Sequence, residues 1–194
     1  MFGDKEICLP KIDGYQECYT NPIVKRIADA TEVPANTVLG FYLNNETYDK
    51  RDSLGLISFD DYFKVYATNE LKNHMATSRD LDQMIQMLSD NFIKKNWDEL
   101  SAEIDKNGLD IQMGIPIVVE EYRINDESFS MAMLLQFEDE NMDLLTVATT
   151  INGYLKNDRL VWMAYYLHYE DNETISTLKQ NSNNILQQLV DAKE

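Results

Sequence analysis

The chain has 194 residues, 44% hydrophobic and 26% charged, with only 7 glycines and 4 prolines; this is a globular composition suited to one domain, and it excludes collagen-like and Pro/Gly-rich disordered classes. Thirty-four acidic residues against 17 basic ones give a net charge of −17, so counterion release on nucleic acid offers it nothing, and neither nucleic acid nor an anionic membrane surface is an expected partner. No apolar run approaches the ~20 residues that span a bilayer, so no transmembrane segment is expected.

Met1-Phe2-Gly3-Asp4-Lys5-Glu6 lacks the basic and apolar regions of a signal peptide. Two explanations stay open: a cytoplasmic protein, or a mature exported domain whose leader has been removed. Cys8 and Cys18 are the only cysteines, with Pro10 and Gly14 between them. A bend at Gly14 would bring them within the ~5.5–6 Å Cα separation of a disulfide, which would indicate an oxidising compartment; the alternative is two unrelated buried thiols. With no other cysteine and only His74 and His168, no metal site is expected, and no cofactor is indicated. Asn45-Glu46-Thr47 and Asn172-Glu173-Thr174 match the glycosylation triplet, although Thr174 is better explained by a helix start.

In chain order, residues 1–36 form an irregular N-terminal segment. Within it, Ile7 to Tyr19 reads as strand and turn, and Asn21-Pro22 opens a short helix with Val24, Ile27 and Ala28 on one face. The expected core is 37–194. Thr37 to Leu43 is β-branched and aromatic and reads as a strand ended by Asn44-Asn45. Over 60–68, Phe63, Val65 and Ala67 alternate with Tyr62, Lys64 and Tyr66; this predicts a strand, with a capped helix as the competing reading. Asp80 to Lys106 predicts a long central helix with Asp80 as N-cap, either curved or broken near Asn96, because its two apolar stripes are offset.

Four strand-like runs follow: Ile115–Ile124, Ser128–Phe137, Met142–Ile151 and Leu160–Tyr169. Their short polar joints predict antiparallel hairpins. Pro116 places the first run at an edge or starts it, and Asn152-Gly153 reads as a bulge or an early turn. The last run carries Val161-Trp162-Met163-Ala164-Tyr165-Tyr166-Leu167 without polar alternation, as in a central strand covered on both faces. A terminal helix capped by Asn172 presents Ile175, Leu178, Ser182, Ile185, Leu186 and Leu189 inward and a Gln- and Asn-rich face outward. The fold class is therefore α+β: an antiparallel sheet flanked by a long central helix and a C-terminal helix.

The turn Lys156-Asn157-Asp158-Arg159, the strand Leu160 to Tyr169, the acidic cap Glu170-Asp171-Asn172 and the helix Glu173 to Val190 together resemble the ending of the PsbP-like α/β/α sandwich. That is the fold of the extrinsic photosystem II protein and of small exported bacterial lipoproteins. The resemblance implies a non-enzymatic scaffold or binding role outside the cytoplasm, periplasmic or secreted, and transfers no catalytic residues.

The chemistry-bearing residues agree with a non-catalytic reading. The two histidines sit in a polar connector and on an alternating strand, no Gly-x-Ser-x-Gly element is present, and the seven glycines make no phosphate-binding loop. Neighbouring Glu120 and Glu121 on a strand point to opposite faces and cannot act as a pair. Between 111 and 143, eight carboxylates face only Arg123. Asp126, Glu127, Glu138, Asp139 and Glu140 fall in hairpin tips and are the candidate interaction residues, suited to a basic protein partner. Eleven tyrosines suit an amphipathic sheet surface or a core with satisfied hydroxyls. The expected function is a binding or accessory domain that engages a protein through sheet-edge and acidic hairpin surfaces. The alternatives are an acidic inhibitor or immunity-type protein for a basic target, and a hydrolase; oligomeric state is not legible.

Overall fold

Eight strands form one antiparallel sheet in the computed structural model, which describes residues 2–50, 60–88, 90–97, 112–138 and 144–192. They are β1 (Tyr15–Glu17), β2 (Asn36–Asn44), β3 (Asp61–Thr68), β4 (Gln112–Met113), β5 (Ile117–Asn125), β6 (Ser128–Glu138), β7 (Leu144–Lys156) and β8 (Arg159–His168). The order is β1-β2-β3-β8-β7-β6, with β4 and β5 sharing the far edge against β6. The helices among the described residues are α1 (Pro22–Ala30), α2 (Asn45–Lys50), α3 (Ser78–Met87), α4 (Asp90–Lys95) and α5 (Asn172–Asp191). The fold is α+β with an antiparallel sheet, as expected.

Alternation along the central strands divides the core. Phe63 and Val65 of β3 and Val161, Met163 and Tyr165 of β8 pack with Leu178, Ile185, Leu186 and Leu189 of α5. On the opposite side, Phe41 and Leu43 meet Val24 and Ala28 of α1. Leu160, Trp162 and Phe129 meet Leu81 of α3, and Met131 and Met133 meet Ile93 of α4. The competing helical reading of 60–68 fails because period-2 alternation lets β3 serve both faces between β2 and β8.

The helix expected over 80–106 is two helices within its described part, α3 closing at Leu88 and α4 opening at Asp90; 98–111 lie outside the described residues. The chain breaks earlier than Asn96 because the offset stripes serve different rows of a twisted sheet. One contacts Phe129, Leu160 and Trp162, and the other Met131 and Met133. Two helix starts also shift. Thr77, not Asp80, is the N-cap of α3, with Asp80 closing the capping box from N3 at 2.7 Å to the Thr77 amide. Asp171, not Asn172, caps α5, accepting from the amides of Glu173 and Thr174, while the Thr174 hydroxyl closes the box. Asn21 caps α1 with Pro22 in its first turn, as its sequence predicts.

The β5–β6 and β7–β8 joints are two-residue turns, Asp126-Glu127 and Asn157-Asp158. Asn157 and Asp158 both take positive φ, 49° and 60°, the conformation that matches the twist of a tight hairpin. Asn152-Gly153 is neither bulge nor turn, since β7 pairs with β6 and β8 in unbroken register through it. A Cβ at Gly153 would lie 2.4 Å from the Phe129 ring, so glycine is there to let the ring cross the strand. β5 begins directly after Pro116 and forms an edge.

The N-terminal segment is built into this sheet. β1 pairs with β2, and Ile12 lies in the core beneath α5. Cys8 and Cys18 are both free thiols. Cys18 is buried in the α1 cluster, where its thiol donates to the Phe41 carbonyl at 3.2 Å. The Cys18 amide also donates to the Phe41 carbonyl, at 2.8 Å, which seats the residue beside β2.

Candidate functional site

α5 is amphipathic in three directions, which its 3.6-residue period allows. The apolar stripe Leu178, Ile185, Leu186 and Leu189 is buried, together with Ser182. The Ser182 hydroxyl lies 2.7 Å from the Thr150 hydroxyl and 3.2 Å from the Asn152 carboxamide oxygen. Asn152 in turn donates to the Met163 carbonyl at 3.0 Å, so this buried polar group is satisfied and fixes the helix register on β7. One flank faces β5, where Lys179 pairs with Glu120 and Asn183 accepts from the Tyr122 hydroxyl at 3.0 Å. The C-terminus is clamped by Lys156, whose ammonium donates to the carbonyls of Leu189, Val190 and Ala192 and meets the negative end of the helix dipole.

The other flank carries Asn181, Asn184, Gln188 and Asp191 in 3-4-3 spacing and forms one wall of an open groove of about 890 Å³. The opposite wall is the N-terminal segment Lys11–Tyr15, tied across by the Asp13 amide donating to Gln188 Oε1 at 3.1 Å. Asn44 and Asp61, at the ends of β2 and β3, complete the lining. Among the described residues, three carboxylates (Asp13, Asp61, Asp191) and five carboxamides therefore line it against one cation, Lys11.

At the Asn181 end the side chains form a network. The Tyr15 hydroxyl lies 2.8 Å from Asp61 Oδ1 and 3.2 Å from the Tyr165 hydroxyl, which accepts from Asn181 Nδ2 at 3.0 Å. Burial first, then the neighbouring Tyr165 and the Asp61 charge, push the Tyr15 hydroxyl well above the ordinary tyrosine range. Burial likewise raises Tyr165, with the Asp61 charge next in effect. Both hydroxyls stay protonated at physiological pH and hold the carboxylate of Asp61 in place.

The expected acidic interaction surface divides. Asp126 and Glu127 form the exposed β5–β6 turn, while Glu138 closes the opposite end of β6. At about 3.3 Å per residue these ends are ~33 Å apart, because consecutive hairpins of a meander turn at alternate ends. Asp139 and Glu140 lie outside the described residues. Glu120 and Glu121 do face opposite ways, Glu120 toward Lys179 of α5 and Glu121 toward a 220 Å³ hollow lined by Ile85 and Leu88. The histidines remain apart from the groove. His74 lies 3.6 Å from Asp80, and His168 is exposed at the end of β8. Among the described residues no group of three or more His, Cys, Asp or Glu is placed to hold a metal ion, and no helix is long and apolar enough to cross a membrane.

The tyrosine surplus divides between the two faces. Tyr62 stacks on Tyr166 at 4.7 Å and on Phe41 at 5.3 Å. Nearby, Lys64 and Glu32 form a buried ion pair of 2.7 Å. Tyr15, Tyr42 and Tyr165 lie on the α5 side. The groove residues were missed in the sequence because they come from four distant segments. The one available signal was the spacing of Asn181, Asn184, Gln188 and Asp191 within the Gln- and Asn-rich helix face. Comparison of the chain with protein-family models, curated proteins and solved structures returns no match.

Proposed function

We propose that this protein is a non-catalytic binding domain that engages a basic segment of a protein partner in the groove between residues 11–15 and α5. The observation that carries the reading is the groove lining: three carboxylates to one lysine among the described residues, with carboxamides along the helix wall. Carboxamides both donate and accept, which suits the amides and carbonyls of an extended chain, and the excess negative charge suits basic side chains. The sheet edges are less inviting. β5 is irregular between Val118 and Glu120 and between Arg123 and Asn125, and β1 has three residues; bulges, edge charges and short strands blunt an edge against strand addition. In this reading the acidic turn at Asp126 and Glu127 steers a cationic partner from a distance and the groove seats it. The hairpin turn, apolar strand and capped helix over 156–190 are in keeping with the PsbP-like relationship, which we retain as part of the proposal together with a site of action outside the cytoplasm.

Calorimetric titration with a short arginine- and lysine-containing peptide at rising salt tests the reading. The peptide should bind, and salt should weaken it. The double change Asp13→Lys with Asp191→Lys should reduce affinity by at least roughly tenfold, while Asp126→Lys with Glu127→Lys should mainly slow association. Binding that ignores the groove reversals sinks the proposal.

A further inference from the structure

We infer that the Asn181 end of the groove is a pocket for a guanidinium group, so that the bound segment is anchored by an arginine at Asp61. This inference rests on the binding function proposed above and names what the groove reads. Asp61 is half-buried and receives the Tyr15 hydroxyl at 2.8 Å, yet among the described residues no cation pairs with it. The Glu32 carboxylate, by contrast, is neutralised by Lys64 at 2.7 Å. A carboxylate taken partly out of water and held by a neutral hydroxyl retains its attraction for a cation.

The surroundings favour a planar cation over a point charge. The Tyr15 ring is braced edge-on by Phe63 at 5.2 Å and by Tyr165 at 6.3 Å, so it is fixed beside the carboxylate. Acceptor oxygens stand close together: the Asp61 carboxylate and the hydroxyls of Tyr15 and Tyr165. A guanidinium presents five donors in a rigid fork, can bond a carboxylate and a neighbouring oxygen together, and stacks on aromatic rings. An ammonium offers three donors from one point and gives up its hydration less readily.

The groove also sets a spacing. From Asn181 to Asp191 the helix wall advances about 15 Å at 1.5 Å per residue. An extended peptide covers that in four to five residues at ~3.3 Å each. Side chains four apart on a strand share a side, so an arginine at Asp61 places a residue four positions away at Asp191. The expected ligand is an extended segment with an arginine and a second basic residue four positions apart.

The test uses the full chain and the blocked five-residue peptide Arg-Gly-Ser-Gly-Lys in calorimetry. Replacing its arginine by citrulline, the neutral isostere, should weaken binding roughly 10- to 100-fold, as loss of a charge-assisted pair does. Replacing it by lysine should cost at least several-fold. Asp61→Asn should reproduce the citrulline loss and remove the preference for arginine over lysine. Should Asp61→Asn fail to fold by far-UV circular dichroism, the peptide-side exchanges on the natural protein remain decisive. If the peptide binds, the Asp13→Lys with Asp191→Lys reversal abolishes binding, and arginine, lysine and citrulline peptides bind alike, the guanidinium pocket is overturned while the groove reading stands. If none of the peptides binds at low salt, both are overturned.

Discussion

The two faces of the sheet are covered in different ways. Beneath α5, one continuous cluster runs from Ile12 and Tyr42 through Phe63, Val161 and Tyr165 to Leu189. The other face is divided among α1, α3 and α4, each over its own cluster. A 20-residue helix carries one long stripe and needs one register, which the Thr150–Asn152–Ser182 bonds supply. Three short helices each cover a local patch of their own. The difference teaches that global cooperativity is invested in the α5 face, and that the groove borrows its rigidity from that face.

Alkaline titration is the broadest way to break this comparison. Tyr15, Tyr42, Tyr154 and Tyr165 on the α5 face and Tyr62, Tyr66 and Tyr166 on the other are all pushed above their ordinary range, burial being the first cause in each. A folded pKa above the unfolded one stabilises below the unfolded value, about 10 for tyrosine, and that stability is lost as pH rises beyond it. Tyrosinate absorbance should therefore appear together with loss of far-UV signal above pH ~10. One shared step means the faces open together; an earlier step without loss of the α5 signal means the divided face opens first.

Core truncation sharpens the same contrast. Leu186→Ala should cost about 2–5 kcal/mol in urea unfolding and weaken hydrogen-exchange protection across the sheet. Ile93→Ala, at the edge of the smallest cluster, should cost about 1–3 kcal/mol and lower protection mainly around α4. Equal, global effects of both would remove the distinction.

Lys156→Met removes the donor to three carbonyls at the end of α5 and should destabilise by about 1.5–3 kcal/mol. It should also loosen the groove wall, seen as faster exchange over the last turn of α5. The smallest effect is expected at Thr77→Ala, which opens the α3 capping box at about 1 kcal/mol in a thermal melt. A cost there as large as that of Leu186→Ala would show that α3 belongs to the same cooperative core as α5.

Much of the fold was readable because it is local. Alternation at 62–67, the helix start at Asn21-Pro22, the polar turn at Asn157-Asp158 and the inner stripe of α5 each depend on residues within one or two turns of each other. Boundaries shifted where two residues compete for one role, as Thr77 and Asp80 or Asp171 and Asn172 do. In each case the earlier residue takes the cap; the box is then closed from the N3 position, by Asp80 in α3 and by Thr174 in α5. The break after Met87 was half visible in the offset stripes, but its place depends on which rows of a twisted sheet lie beneath.

The sequence by itself determined the antiparallel meander, the central burial of β8, the amphipathic terminal helix and the −17 charge that sets what is attracted from a distance. Those properties follow from periodicity, turn chemistry and composition. Only the tertiary structure decided where the charge acts. It set Asp126-Glu127 and Glu138 at opposite ends of β6 and buried Cys18 against α1. It also drew Asp13, Tyr15, Asn44, Asp61 and Asn181 into one groove. The physical reason is that a groove is made by strand order and helix placement. Residues 166 positions apart share it because β1, β3 and α5 meet at one corner of the sheet, and no local period in the chain encodes that meeting.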